Sequence, residues 1–305
     1  MISEQSTWTG STGAELECFY WKPDGPIAGI IQVVHGMAEH MARYAGAAEA
    51  LTRASFMVAG ITQAGHGDAA PVKGFFGRED GLETLLDDIH LFRDHLQSDH
   101  PNVPFFLLGH SMGSFLTRCY IQDHAEGLSG AILSGTGHYD KASIHMGLLL
   151  CGIYITLGRG MMPCGLVNRV TNAGMLKRIP DAQTPFDWLS ADRDTVSEYN
   201  RDPLCGFMFT AYGYRDLFHA LGRMSDKEGL NRIPVNLPVY LFSGEEDPVG
   251  GYGTGVRRVA QDLRGAGLQE VDMRLYKGGR HEMFNEVNAQ DVCRDTAAWL
   301  YKHLA

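Results

Sequence analysis

Ser111 sits inside Gly109-His110-Ser111-Met112-Gly113, directly after the apolar run of "VPFFLL" and directly before the helical pattern of "SFLTRCYIQDH". A serine on so sharp a strand-to-helix turn is held in a strained backbone, with its hydroxyl raised above the sheet edge, and glycines on either side remove the β-carbons that would collide there. A hydroxyl is a poor nucleophile at neutral pH, so chemistry at Ser111 needs a base and an acid that orients the base. Two later loops can supply them. "GEEDPVG" presents Glu245, Glu246 and Asp247, and "KGGRHEMFNE" presents His281 on a Gly-rich turn. Serine, acid, histidine is a chain order known for such triads. Three acids compete for the middle role, and Pro248 stiffens the backbone beside Asp247.

A developing oxyanion needs backbone N–H donors. "QVVHGMAEH" offers a loop in which His35 and Gly36 turn the chain sharply at a strand end, aiming the Met37 amide at the same space as the Met112 amide. Together with Gly109, His110 and Gly113, these residues would shape the site. His35 and His40 could instead suggest a metal, but five positions apart and with no third ligand nearby they do not make a recognisable metal motif. No cofactor motif is present, and no metal or cofactor is expected.

These residues must be positioned by an alternating scaffold. Apolar strand-like runs begin at Gly29, Phe56, Val103, Gly130, Pro238 and Val271, and segments from Leu82 and Asp291 place apolar residues three and four apart, as helices do. The pattern predicts an α/β protein with a mostly parallel central sheet flanked by helices. From Gly137 to Ile233 the alternation stops and only helical segments follow. The expected organisation is a core of residues 1–136 and 234–305, with a helical cap inserted at 137–233. That insertion carries 11 basic and 10 acidic residues, leaving a charge of −11 for the remainder. Residues 141–180 contain no Asp or Glu, but they hold Lys141, Arg159, Arg169, Lys177 and Arg178 around apolar stretches. A cap of this kind can roof a pocket, or lie peripherally on an anionic lipid surface.

The motif blocks "HGMAEHMARY", "GHGD", "GHSMGS", "GEEDPV" and "RHEMFNE" together resemble the monoacylglycerol lipase and lysophospholipase branch of the α/β-hydrolases. The resemblance implies the α/β-hydrolase fold and a serine hydrolase with Ser111 as nucleophile, Asp247 and His281 completing the triad, and the Met37 and Met112 amides as oxyanion donors. It also places Glu39 and Arg43 as a local ion pair, and implies a lipid-like ester as substrate. Two positions depart from the family pattern. Thr62-Gln63-Ala64 stands where an Asp-x-Arg is usual, and Ser114 replaces a common glycine. Two other readings stay open: a peptidase or amidase of iminopeptidase type, and a receptor that keeps the triad as a pocket.

Composition narrows the setting. A net charge of −10 argues against nucleic acid as a partner. The opening residues lack the basic and apolar parts of a signal peptide. Six scattered cysteines without a CxxC pair fit reduced thiols, so a cytoplasmic location is expected. No apolar run is long enough to span a bilayer. Acyl length, head group and oligomeric state have no signature in the sequence.

Overall fold

The computed structural model describes residues 1–304. Two antiparallel strands, β1 (Ile2–Thr9) and β2 (Glu15–Lys22), open the chain. The alternation then runs β3 (Gly29–Val34), α1 (Ala45–Arg53), β4 (Phe56–Ile61), α2 (Gly81–Asp99), β5 (Phe105–His110), α3 (Met112–Tyr120) and β6 (Gly130–Ser134). Five helices follow: α4 (Lys141–Thr156), α5 (Gly165–Thr171), α6 (Arg193–Arg201), α7 (Ala211–Arg223) and α8 (Lys227–Arg232). The sheet resumes with β7 (Val239–Gly244), α9 (Thr254–Gly265), β8 (Val271–Tyr276) and α10 (Ala289–Lys302).

The eight strands form one sheet in the order β1-β2-β4-β3-β5-β6-β7-β8. From β4 to β8 every pairing is parallel, and the two antiparallel pairings, β1 with β2 and β2 with β4, leave β2 alone running against the rest of the sheet. β3, β4, β5, β6 and β7 are buried along their whole length. That explains their unbroken Val, Ile and Phe runs, because a parallel sheet is covered by helices on both faces. Three apolar cores result, the smallest including Ile30, Met57, Phe92 and Phe105. Another, under α2, α3, α7 and α9, includes Leu107, Phe115 and Tyr214; the third, under α1 and α10, includes Phe56, Phe106 and Trp299.

β1 and β2 are absent from the strand runs read off the sequence. β1 is exposed on nearly every residue and has no apolar face to declare itself, whereas β2 is half-buried and alternates. The strand expected from Val103 instead spans Phe105–His110, so it carries the chain to the residue before Ser111.

Candidate active site

β5 ends at His110 and α3 begins at Met112, leaving Ser111 alone on the turn with φ 51° and ψ −119°. A non-glycine residue there costs of the order of 1–3 kcal/mol and persists only where its surroundings enforce it. They do. The Ser111 amide donates to Ser134 O at 2.9 Å across the β5–β6 ladder. A β-carbon on Gly113 would lie 1.9 Å from Val34 O, and one on Gly109 would lie 2.3 Å from Gly113 O. The backbone crosses too tightly for any side chain at either position. Ser114, in place of the common glycine, is buried and donates its hydroxyl to Ser111 O at 2.6 Å.

His281 and Asp247 are both buried, and the His281 Nδ1 lies 3.1 Å from each Asp247 oxygen. Asp247 accepts two further hydrogen bonds, from the Ser243 hydroxyl at 2.6 Å and the Val249 amide at 2.8 Å. Glu245 and Glu246 are exposed. Burial pulls the His281 pKa down, but the charge and hydrogen bond of Asp247 outweigh it and leave the imidazole above its ordinary value. The His281 Nε2 is buried without a protein partner. The His110 and Trp188 rings pack beside it at centroid distances of 4.8 and 5.1 Å. Burial, followed by the neighbouring His281, pushes His110 down to about 4.

The loop after β3 is held from several sides. Gln63 donates from its backbone to His35 Nε2 at 2.9 Å and from its side chain to His35 O at 2.7 Å. His35 therefore carries its proton on Nδ1, which faces Gly36 O at 2.8 Å, and burial lowers its pKa to about 4. Ala38 adopts φ 54°. Its amide donates to His66 Nε2 at 3.2 Å, and its carbonyl accepts from the Tyr199 hydroxyl at 3.0 Å and the Gly206 amide at 2.9 Å. Among the described residues, neither the Met37 nor the Met112 amide has a protein acceptor. Both residues line the same cavity as Ser111 and His281.

The Glu39–Arg43 pair forms at 2.8 Å and extends to Glu282, which Arg43 grips at 2.8 and 2.6 Å. Glu39 also accepts from the Gly36 amide and the Tyr44 hydroxyl. Burial raises the Glu39 pKa, but Arg43 and the nearby groups overcome it and hold the carboxyl at about 2.

The cavity over Ser111 measures about 570 Å³. Its walls are mostly apolar and come largely from the segments between β6 and β7, including Met146, Leu150, Val167, Phe207, Leu217 and Phe218. α4 packs on α7 so closely that a β-carbon on Gly147 would meet the Phe218 ring at 2.2 Å. An apolar chamber opening onto a serine, a buried histidine–carboxylate pair and two unengaged amides suits acyl transfer.

Ser243, His66, Trp188 and Glu282 were not among the residues singled out as functional. His66, Trp188 and Glu282 make their contacts across long stretches of chain, to Ala38, His281 and Arg43, whereas Ser243 acts locally, four positions before Asp247 on the same strand and loop. Outside this cavity, His40, Asp202 and Cys205 each bring one potential ligand atom within 4.8 Å of the others.

The comparisons with known proteins agree with the fold. The model of the serine aminopeptidase S33 family matches residues 25–288. A monoacylglycerol lipase from Mycolicibacterium smegmatis is 26% identical, covering 98% of both chains. The monoglyceride lipase of Rattus norvegicus is 27% identical over 96% of this chain and 89% of its own. The crystal structure of a thermostable carboxyl esterase from Bacillus coagulans, in complex with glycerol, superposes with a TM-score of 0.92 at 30% identity, covering all of both chains. With that family match spanning most of its length, and with the sheet order and serine turn described above, the chain belongs to the serine aminopeptidase S33 family of α/β-hydrolases.

Proposed function

We infer that this chain is a carboxylic ester hydrolase of the monoacylglycerol lipase type, working through an acyl-enzyme on Ser111. In this reading His281 Nε2 takes the Ser111 proton as the hydroxyl oxygen attacks the ester carbonyl carbon. The carbonyl oxygen, now an oxyanion, accepts from the Met37 and Met112 amides. Collapse of the tetrahedral species breaks the bond to the alcohol, which leaves with the proton held by His281. Water, deprotonated by the same imidazole, then releases the fatty acid and restores Ser111. Asp247 stays ionised throughout and stabilises the imidazolium.

One observation separates this reading from an aminopeptidase, the activity in the family's name. Recognition of a free ammonium needs an unpaired carboxylate in the pocket, and the two carboxylates that line this cavity, Glu39 and Glu282, are both bound to Arg43. The remaining wall is apolar, which favours an acyl chain. The test is a panel of monoacylglycerols, lysophospholipids, p-nitrophenyl esters and amino-acid arylamides. Monoacylglycerols are expected to exceed arylamides in kcat/KM by at least roughly 100-fold, the discrimination that about 2.7 kcal/mol provides. A preference for arylamides would overturn the reading.

The cap supports a peripheral lipid contact as well. α4 is apolar on more than one face: Gly147 and Leu150 face the pocket or α7, whereas Leu149 and Ile153, and Leu157 just past its end, are exposed. Leu166 and Val170 on α5 are exposed too. Among the described residues, Lys141, Arg159, Arg169 and Lys177 form no ion pair, while Arg178 stacks on the Tyr252 ring at 3.7 Å. An apolar face ringed by free cations fits the surface of an anionic membrane, from which a lipid ester could enter the cavity. No described helix is long and apolar enough to cross a membrane. The six unpaired cysteines favour a cytoplasmic location.

A further inference from the structure

We propose that His40, Asp202 and Cys205 form a binding site for a transition metal of the zinc type, where the segment between α6 and α7 crosses the loop after β3. The sequence gives no hint of it, because 162 positions separate His40 from Asp202. In the fold, His40 Nε2 lies 2.7 Å from Asp202 Oδ2, and one imidazole nitrogen, one carboxylate oxygen and the Cys205 sulfur all lie within 4.8 Å of one another.

An imidazole nitrogen, a carboxylate oxygen and a thiolate sulfur make a mixed donor set that suits zinc, whereas magnesium and calcium take oxygen ligands. With bonds of about 2.0–2.1 Å to nitrogen or oxygen and about 2.3 Å to sulfur, the ligand atoms of a tetrahedral site stand roughly 3.3–3.6 Å apart. The His40–Asp202 pair then has to open by under about 1 Å and the sulfur to close by at most about 1.3 Å, which side-chain rotation can supply. Three protein ligands leave a fourth position for water. The Asp202 carboxylate is already oriented, since its Oδ1 accepts from the Leu204 amide at 2.8 Å.

Two further observations support a metal here. Cys205 is partly exposed, whereas the other five cysteines are buried, so an ion from solvent can reach it. The neighbouring cation, Arg43, is held by Glu39 and Glu282 and so adds little repulsion. On binding, the thiol proton leaves to solvent, and the thiolate and carboxylate together balance the charge of the ion.

The location gives the site a consequence. Tyr199 and Gly206 flank Asp202 and Cys205 in sequence, and both donate to the carbonyl of the strained Ala38. A metal joining Asp202 and Cys205 to His40 would pin the same segment to the far end of the same loop. Loading should therefore stabilise the whole fold in proportion to the binding.

The experiment is titration of reduced, metal-free, full-length protein with Zn²⁺ by calorimetry and with Co²⁺ by absorption. One ion per chain should bind at micromolar or lower concentration, Co²⁺ should give a thiolate charge-transfer band, and saturating Zn²⁺ should raise Tm by several degrees. Cys205→Ser should abolish the band and weaken Zn²⁺ binding at least about 10-fold, and Asp202→Asn should keep the band while weakening binding by a similar factor. His40→Gln provides a second ligand deletion should the serine variant fail to fold. Unchanged Zn²⁺ affinity in Cys205→Ser or His40→Gln, or no saturable binding to the parent below about 100 µM, would overturn the proposal.

Discussion

Arg43 and Glu282, 239 positions apart, form a bidentate ion pair at 2.8 and 2.6 Å, and Glu282 directly follows His281. The same guanidinium holds Glu39 on the loop that carries the Met37 amide. One side chain thus ties the loop after β3 to the loop that carries His281.

Replacing Arg43 by Met leaves two buried carboxylates without their cation, a loss of roughly 3–5 kcal/mol in folding stability. Arg43→Lys keeps the charge but cannot form the bidentate grip, so it should recover much of the stability and less of kcat. Urea unfolding and esterase kinetics on the two variants check this. Equal kcat in the lysine variant and the parent would remove Arg43 from any role in positioning.

The pH profile follows from His281. The imidazole must be neutral to accept the Ser111 proton, and its pKa lies above 6.5 because Asp247 outweighs burial. The acid limb of kcat/KM should therefore have its midpoint above 6.5, with activity gained as pH rises through it. His35 and His110, pushed down to about 4, stay neutral and add no limb between pH 5 and 8. For stability, a raised folded pKa contributes fully below the unfolded value and is lost as pH rises through the folded one. The urea midpoint of the parent should accordingly lose this contribution on the alkaline side, and Asp247→Asn should show no such loss.

Asp247→Asn should lower kcat by about 10⁴. Ser243→Ala removes a single hydrogen bond to the same carboxylate, worth about 1.5–3 kcal/mol for a charged acceptor, so kcat should fall roughly 10- to 100-fold. Glu245→Gln and Glu246→Gln, at exposed positions, should change kcat by less than about twofold. A severe loss in either glutamate variant alone would move the acid away from Asp247.

The cap predicts salt-sensitive docking. Each basic residue near an anionic surface adds about 1 kcal/mol. Co-sedimentation with anionic vesicles should exceed that with neutral ones, fall with added salt, and fall further in Arg159→Glu with Arg169→Glu, while short soluble esters are still hydrolysed. Equal binding to both vesicle types would leave the cap as a pocket roof only.

What could be read from the sequence was what local chemistry writes there. Five buried strands announce themselves as apolar runs, and the Gly-framed Ser111 announces its turn, since both follow from residues adjacent in the chain. Thr62, Ala64 and Ser114 read as departures from the family pattern that could alter the pocket walls, and nothing in the sequence marks a task for Gln63 between the first two. In the structure Gln63 reaches back 28 positions to His35, and Ser114 donates to the Ser111 carbonyl three residues before it. The support given by His66, Trp188 and Glu282 was hidden because it arises only when separate segments meet above the sheet, whereas that of Ser243 lies within the β7 end and the loop that follows it. β1 escaped because an exposed edge strand needs no apolar pattern to pair with β2.

The most direct measurement is labelling with a fluorophosphonate followed by peptide mass spectrometry, in parallel with esterase assays of Ser111→Ala. The account predicts one phosphonylated residue, Ser111, and in the alanine variant no label and a kcat lower by roughly 10⁴ to 10⁶ with folding intact. Label on another residue, or wild-type esterase activity in a folded Ser111→Ala protein, would contradict it.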